Sequence, residues 1–436
     1  MRHSFRTATL VLSLAVFALA ADTAMFRGNP QHTGVYSAPG VPKFNKVKWT
    51  FHTGEMVIGS PVLWSGTIYV GSTDGNFYAL EAETGMQKWK FEAKSRITAS
   101  AAVAAGAAYF GAYDGKFYAL DAATGKVKWM FQTGGERRFT ARHLHGVQPA
   151  AETMPDPFDV FLSSPVVWNG AVYFGSGDGT IYALDVASGS VKWKFQTGDV
   201  VHASPAISDG MLFIGSWDSY FYALDAASGQ EKWRFKTGDD PDTHNQVGIQ
   251  SSAAVADGTV FFGCRDSHLY ALDVNTGQKK WALSTEGAWV VASPGVHDGK
   301  VYVTTSDSSL LFELNAKTGG VERKTSFNHW FLFSSPALAS GTLYFGSTQG
   351  KLIAVNVADF RVLWSFETQG FKQHGPEFVK ADGSPNAEAI YRSDFYDDMV
   401  SGLGRTMSIG AIVGSPLVDG TTIYVGSGDG NVYALM

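Results

Sequence analysis

The residues best suited to chemistry lie in a polar stretch, 135–162, that interrupts an otherwise regular chain. Three arginines and two histidines stand close together in it, namely Arg137, Arg138, Arg142, His143 and His145. Arginine forks bind carboxylates through paired hydrogen bonds, so this cluster suits an acidic ligand. The two histidines face one metal ion only if the loop bends. The alternative is structural, because the same stretch contains acids that can pair with these cations and order the loop: Glu136, Glu152, Asp156 and Asp159.

A second polar stretch, 239–250, is rich in oxygen-bearing side chains. Asp240, Asp242 and Asn245 are candidate ligands of Ca²⁺, because carboxylates and amide oxygens are the ligands that this ion prefers. The alternative is again structural, since Asp, Asn and Pro are also ordinary turn-forming residues and the spacing is not that of an EF-hand loop. The sequence therefore offers a possible calcium site here without a defining motif.

The longest polar stretch, 371–413, contains two candidates for a general base, Asp394 and Asp397. A general base must lie within hydrogen-bond reach of the proton that it removes. The spacing of the sequence does not choose between these two carboxylates. The chain has no nucleophile elbow, no phosphate-binding loop and no zinc-protease motif.

The elements that must position these residues are copies of one unit of four short strands. The clearest copy, 164–198, has runs rich in Val, Tyr, Phe and Ile separated by Asn-Gly, Gly-Asp-Gly and Ser-Gly. Such runs predict antiparallel hairpins. A recurring unit predicts one repeat architecture in place of separate domains. The copies begin with Ser-Pro or Ser-Ala at Ser60, Ser100, Ser164, Ser204, Ser252, Ser293, Ser335 and Ser415.

The two ends of the repeat region complement each other. The last copy stops at Met436 after its third strand, whereas Val47–Gly54 has the sequence of a fourth strand without the first three. A closed ring leaves no unpaired sheet edges. We therefore predict an all-β fold, an eight-bladed β-propeller of four-stranded antiparallel blades, in which the N-terminal strand completes the C-terminal blade. The propeller is expected to span 47–436 as a single domain, after an irregular lead-in over 21–46.

The three polar stretches occupy the same slot in the repeat, between the fourth strand of one unit and the first strand of the next. In an antiparallel sheet, this connection leaves from the edge that also carries the turn between strands two and three. We therefore expect the insertions at 135–162, 239–250 and 371–413 on one face of the disc, which we predict to be the functional face. The opposite face is predicted to carry only short turns.

Two residue types recur with the unit, and both are predicted to be structural. A Trp in the fourth strand is expected to bury apolar area between blades, and an Asp in the second turn is expected to cap turn amides. In the sixth unit the Trp slot falls on Glu322, or on Arg323 if one residue is inserted. Trp217, Trp289 and Trp330 lie outside the Trp register and are expected on the functional face, where one of them could stack on a flat ligand or simply line the surface.

Composition excludes several function classes. The net charge of -6 and the absence of a basic stripe argue against nucleic-acid binding. The single cysteine, Cys264, excludes an internal disulfide and any metal or haem site that needs several cysteines.

The N-terminal residues 1–20 resemble a secretory signal peptide. A basic start is followed by the apolar run Ala8–Ala20, which ends in the small-x-small sequence Ala-Leu-Ala and is too short to span a membrane. No cysteine follows the run, so no lipid anchor is expected, and no later segment is apolar enough to cross a bilayer. The sequence therefore predicts an exported protein, periplasmic or secreted.

The repeat unit resembles the pyrroloquinoline-quinone (PQQ) type propeller repeat, most clearly over 60–93, 164–198 and 204–238. Ala119–Trp129 is similar to the tryptophan-docking motif of that family, and Met25–Gly34 is similar to the start of such proteins. The resemblance covers nearly all of the mature chain. It implies the propeller fold, and it implies one of two kinds of function.

One kind is the quinoprotein dehydrogenase, which binds PQQ and Ca²⁺ in the funnel, and the other is the cofactor-free scaffold propeller such as the lipoprotein BamB. The chain departs from both, because Cys264 cannot supply the vicinal disulfide on which PQQ stacks and no cysteine for a lipid follows the signal. We expect a non-catalytic binding or scaffold protein of the cell envelope, with an envelope protein or a small acidic ligand on the insertion-bearing face. The alternative is a PQQ- and calcium-dependent dehydrogenase of alcohols or sugars, for which the cofactor-binding candidates are Arg137, Arg138, Arg142, His143, His145 and Trp217.

Overall fold

The computed structural model describes residues 23–238, 248–327 and 329–436. The predicted propeller is confirmed: eight blades of four antiparallel strands follow one another around the ring, and the short strand Thr23–Ala24 of the lead-in adds a fifth strand beside Ala102–Ala104 in blade two. Blades are numbered here from the unit that begins at Ser60. The strands of blades one to three are Val62–Trp64, Thr67–Gly71, Asn76–Glu81 and Gln87–Glu92; Ala102–Ala104, Ala107–Gly111, Lys116–Asp121 and Val127–Gln132; Val166–Trp168, Ala171–Gly175, Thr180–Asp185 and Val191–Gln196.

The remaining blades repeat the same arrangement. The strands of blades four to seven are Ala206–Ser208, Met211–Gly215, Tyr220–Asp225 and Glu231–Lys236; Ala254–Ala256, Thr259–Gly263, His268–Asp273 and Lys279–Ser284; Gly295–His297, Lys300–Thr304, Leu310–Asn315 and Val321–Ser326; Ala337–Ala339, Thr342–Ser347, Lys351–Asn356 and Val362–Glu367. Blade eight takes three strands from the C-terminus and one from the N-terminus: Leu417–Asp419, Thr422–Gly426, Asn431–Leu435 and Val47–His52.

The ring closes as the sequence predicts. Val47–His52 pairs antiparallel with Asn431–Leu435 in blade eight. Around the centre, the amide of the opening serine donates to the serine hydroxyl of the next blade in every unit except the seventh, as from Ser60 N to Ser100 Oγ at 2.9 Å. The bond from Ser415 N to Ser60 Oγ, at 2.7 Å, joins the last blade to the first. The small polar residue that opens each unit therefore links neighbouring blades.

Six of the fourth-strand tryptophans donate to the next blade and Trp364 donates to Val41 O of the lead-in, which confirms their structural role. Trp49 Nε1 donates to the carbonyl of Ala82 at 2.9 Å. Its ring covers Gly85, where an added Cβ would lie 2.6 Å from the indole. In blade six Arg323, opposite Glu313, occupies this slot. Its guanidinium donates to the next blade and lies 5.0 Å from the centroid of Phe360, so an Arg–Phe pair replaces the Trp–Gly pair.

The turn aspartates also join blades, and the prediction that they cap turn amides is confirmed. Asp74 Oδ1 accepts the amide of Asn76 at 2.8 Å. Asp74 Oδ2 accepts the hydroxyl of Tyr78 at 2.7 Å and the amide of Gly54, from the preceding blade, at 2.7 Å. One carboxylate therefore satisfies its own turn, its own third strand and a neighbour.

The face opposite the insertions carries more than the short turns predicted for it. The lead-in runs across the first strands of successive blades, with Pro30 O accepting the amide of Ile207 at 2.7 Å and Gly34 O accepting that of Leu338 at 2.8 Å. Buried Arg27 fixes its path by donating to the carbonyl of Pro294 at 2.8 Å. Extended backbone can complete hydrogen bonds that short first strands leave open, and the sequence pattern did not reveal this.

The insertions contain secondary structure that the sequence did not predict. The first holds the paired strands Thr140–Ala141 and Met154–Pro155. The third holds the helices Gln369–Phe378, Ala387–Ile390 and Tyr396–Ser408. Among the described residues, no helix combines the length and apolarity that crossing a membrane requires.

Candidate functional site

The first and third insertions meet over the funnel, as expected for loops on one face. Gln148 N donates to Asp394 O at 2.7 Å, and Tyr396 N donates back to Gln148 O at 2.9 Å. The hydroxyl of Tyr396 donates to Pro155 O at 2.7 Å. The side chain of Gln250, the last residue of the second insertion, donates to Phe158 O at 2.9 Å. The insertions therefore form one connected cover.

Beneath this cover lies a fully buried arginine of blade five. The guanidinium of Arg265 lies 3.7 Å from the ring centroid of Trp289 and 4.7 Å from that of Trp217. Its Nη1 bonds to Asp156 Oδ2 at 2.8 Å, and neither side chain is exposed. Burial alone would raise the pKa of Asp156, but Arg265 and then His145 hold that pKa well below its usual range. The first insertion therefore supplies the counter-ion of a cation in the funnel.

A second buried network repeats this arrangement in blade four. His202 Nδ1 lies 2.7 Å from Asp159 Oδ1, and its Nε2 lies 3.4 Å from Glu136 Oε2. Burial would lower the pKa of His202, but the two carboxylates of the insertion outweigh it and raise the pKa to about 10. The acids that the sequence offered as partners for the loop's own cations therefore pair mainly with cations of the blades.

The three candidate arginines of the first insertion lie in three different surroundings. Arg137 pairs with Asp199 at 2.8 Å and is half-exposed. Arg138 lines a cavity of about 210 Å³ together with Arg96. Arg142 is exposed. The structure does not bring these three side chains to one ligand.

The two candidate histidines lie closer to the centre. Exposed His143 adopts a left-handed backbone conformation, with φ of 56°. His145 Nε2 bonds to Asp156 Oδ1 at 3.2 Å. The His145 ring also packs edge-on against Phe158, with 5.1 Å between centroids. Both histidines line a cavity of about 510 Å³ between the first and third insertions.

Both faces of the Trp217 ring pack against other side chains of the protein. Its ring stacks on Phe139 at 4.7 Å with 14° between the planes, and the Arg265 guanidinium covers it as well. Trp289 and Trp330 are also buried, and Trp330 Nε1 donates to the carbonyl of Gly383 at 2.7 Å. The off-register tryptophans therefore hold the insertions on the ring.

The candidate general bases lie on the surface of the third insertion. Asp394 and Asp397 are both exposed. Asp397 lies in the first turn of the helix Tyr396–Ser408, where a carboxylate interacts favourably with the helix dipole. The candidate calcium ligands Asp240, Asp242 and Asn245 lie outside the described residues. Within the described ranges, no group of three or more His, Cys, Asp and Glu side chains could hold a metal ion.

Sequence reasoning missed Arg265 and His202, although a signal was present for each. Arg265 is the first residue of its second turn, where the other units have uncharged residues: Thr73, Tyr113, Gly177, Trp217, Ser306, Thr348 and Gly428. His202 lies two residues before an opening serine, where Ile58 and other uncharged residues stand. A single charged residue at an otherwise uncharged repeat position marks an inward-facing exception.

The fold and this site define the protein as a PQQ-type repeat propeller with a funnel filled by its own insertion. The family model described as "Outer membrane protein assembly factor BamB" matches residues 44–152, 147–288 and 284–436, so the chain belongs to that family. A comparison with curated proteins finds no match.

Solved structures of both functional kinds share the fold. BamB from Moraxella catarrhalis superposes with a TM-score of 0.63 at 17% identity, over 90% of this chain and 97% of that one. A europium-containing methanol dehydrogenase gives 0.65 at 16%, over 92% and 89%. The quinohemoprotein alcohol dehydrogenase of Comamonas testosteroni gives 0.67 at 15%, over 94% and 80%. At these identities the likeness shows the fold alone.

The described residues do not fit PQQ well. A flat polycarboxylate needs a free ring face and converging cations. Trp217 has its two faces covered, the candidate arginines are dispersed, and the central guanidinium of Arg265 already has a carboxylate partner.

Proposed function

We propose that the protein is an exported, non-catalytic binding propeller of the cell envelope, and that its insertion-covered face holds a protein partner. The observation that carries this proposal is the filled funnel. Asp156 neutralises Arg265, Asp159 pairs with His202, and Phe158 packs among the rings at the centre. A funnel that its own loop occupies favours recognition by the outer surface of that loop.

The outer surface of the third insertion has the character of a binding surface. Phe395 is 58% exposed and Val400 is 39% exposed, beside and within the helix Tyr396–Ser408. Exposed polar side chains, Arg392, Asp394 and Asp397, flank these apolar groups. Apolar anchors within a polar rim are typical of protein-binding sites. The membership in the BamB family supports a protein partner over a small substrate.

A PQQ- and calcium-dependent dehydrogenase is the second candidate, and the dehydrogenases among the structural neighbours favour it. The geometry of the described residues gives it less support, for the reasons of fit given above. Export through residues 1–20 is part of both proposals. The signal-like sequence of these residues and the outer-membrane description of the matching family model support it.

Site-specific photo-crosslinking in intact cells tests the leading proposal. A photoreactive amino acid replaces Phe395, and in a matched control it replaces Met130, which is 60% exposed on the outer strand of blade two. The proposal predicts a discrete protein adduct from position 395 and none from position 130. Introducing Val400→Asp should weaken the adduct at 395 while leaving the thermal unfolding midpoint unchanged. Equal adducts from both positions, or none from 395, would contradict the proposal.

A further inference from the structure

The aspartate in the second turn of blade six, Asp307, lacks a hydrogen bond to tyrosine that the other turn aspartates make. In blades one to five and in blade eight, the carboxylate accepts the hydroxyl of the tyrosine four positions later, as in the bond of 2.7 Å from Tyr78 to Asp74. Four positions after Asp307 stands Leu311, which has no hydroxyl. Asp307 is exposed and makes no hydrogen bond or ion pair with the described residues. The carboxylate of Asp307 therefore does not stabilise its blade as the other turn carboxylates do.

This carboxylate lines the cavity of about 510 Å³ between the first and third insertions. The volume lies within the range of small-molecule sites, which is about 300–1,000 Å³. Among the described residues, no arginine or lysine lines the cavity, and its ionisable nitrogens belong to His143 and His145. Burial raises the pKa of Tyr391, on the same wall, and the charge of Asp307 raises it further.

The other walls are aromatic. Phe331 and Phe333 pack with 5.3 Å between ring centroids, and Phe158 stands edge-on to Phe331 at 6.1 Å. Trp289 stands edge-on to Phe158 at 5.8 Å. The guanidinium that covers Trp289, that of Arg265, is already neutralised by Asp156. The cavity therefore combines several π systems with one unpaired carboxylate.

We propose that this cavity binds an organic cation that carries a methylated ammonium group. Aromatic rings attract such cations through their quadrupoles, and cages of several rings bind quaternary ammonium groups. Asp307 supplies the charge that balances the ligand, and the apolar rings accommodate its methyl groups. The same group occurs on free small molecules and on lipid headgroups. The inference stands apart from the protein partner proposed above, which concerns the outer surface of the third insertion.

Calorimetric titration with choline tests the site, with 3,3-dimethyl-1-butanol as the neutral isostere. We expect choline to bind and the isostere to bind at least about tenfold more weakly, because only choline gains the cation–π and ionic attraction. Asp307→Asn keeps the shape and should weaken choline binding about tenfold. The control Asp298→Asn changes an exposed acid in the first turn of the same blade and should leave binding unchanged. Phe331→Leu should weaken choline binding more than isostere binding.

Three results would overturn the proposal: no choline binding at millimolar concentrations, equal affinity for the isostere, or unchanged affinity in the Asp307→Asn variant. Co-sedimentation with phosphatidylcholine vesicles, compared with phosphatidylglycerol vesicles, distinguishes the two sources of the group. Asp307-dependent sedimentation with phosphatidylcholine alone supports a lipid headgroup. Choline binding without sedimentation supports a free small molecule.

Discussion

The guanidinium of Arg265 and the carboxylate of Asp156 form an ion pair at 2.8 Å in which neither side chain is exposed to solvent. Asp156 belongs to the first insertion and Arg265 to the second turn of blade five, so the pair fixes the insertion over the funnel. Without Asp156, the cation would remain buried between Trp217 and Trp289 with no counter-ion from the part of the chain that the structure describes.

We predict that Asp156→Ala destabilises the protein by about 3–5 kcal/mol, because it leaves a buried guanidinium unpaired. Urea unfolding followed by tryptophan fluorescence measures this change. The double variant Asp156→Ala/Arg265→Met should recover much of the loss, since no buried charge remains. The half-exposed pair of Arg137 and Asp199 is the control, and Arg137→Ala should cost less than about 1 kcal/mol. Equal costs for Asp156→Ala and Arg137→Ala would show that the buried pair does not hold the insertion.

The stability of the protein should fall as the pH rises from about 6.5 to about 10. His202 has a folded-state pKa of about 10, above its ordinary value of 6.5, so the folded state binds this proton more tightly than the unfolded state does. The stabilisation is fully present below about pH 6.5 and is lost as the pH passes through the folded pKa. In His202→Gln the melting temperature should be lower at pH 6 and should vary less across this window. A wild-type curve that rises between these pH values would refute the assigned network.

The contribution of Trp49 docking to stability can be measured by comparing alanine substitutions at two glycines of blade one, Gly85 and Gly66. Gly85 and Gly66 have nearly the same backbone angle, with φ of 73° and 71°, but only Gly85 lies under the indole ring. Alanine costs about 1–2 kcal/mol at each site for the left-handed backbone. Gly85→Ala should cost about 1–3 kcal/mol more than Gly66→Ala, because its methyl group meets the ring. If both variants lose the same free energy of unfolding in urea, the ring of Trp49 does not pack tightly on Gly85.

In blade six, the Arg323–Phe360 pair can be replaced by the Trp–Gly pair of the other blades. Phe360 has φ of 59°, donates its amide to the carbonyl of Asn356 as Gly85 does to that of Glu81, and lies under the guanidinium of Arg323. Arg323→Trp alone should destabilise the protein by about 1–3 kcal/mol through overpacking. Adding Phe360→Gly should recover stability beyond the sum of the two single changes. A double-variant cycle with no coupling would show that the two positions are independent.

The ring could be predicted from the sequence because its determinants are local and repeated. Strand runs, turn glycines and the complementary ends at Val47 and Met436 each repeat or complete one unit. The path of the lead-in could not be predicted, because its bonds, such as that from Ile207 N to Pro30 O, use backbone atoms that leave no trace in residue type. The helix Gln369–Phe378 was also missed, since it contains weak helix formers such as Pro376.

The interior of the site could be predicted only in part. The sequence indicated that the acids of the first insertion could pair with cations of the same loop. Asp156 does pair with His145, but Glu136, Asp156 and Asp159 pair mainly with cations of the blades. Their partners Arg265 and His202 come from distant units and share no motif with the loop. Only the assembled ring brings these groups together, so spacing along the chain cannot reveal them. The candidate roles of His143, Asp394 and Asp397 stay predictions.

Calorimetric titration of PQQ into the mature protein, with and without Ca²⁺, tests the central claim that the funnel is filled by its own insertion. The account predicts no saturable heat at high protein concentration under either condition, in the wild type and in Arg137→Ala alike. Tight, calcium-dependent binding would contradict it. That result would mean that Asp156 and its loop leave the funnel to admit a cofactor, and it would move the assignment to a quinoprotein dehydrogenase.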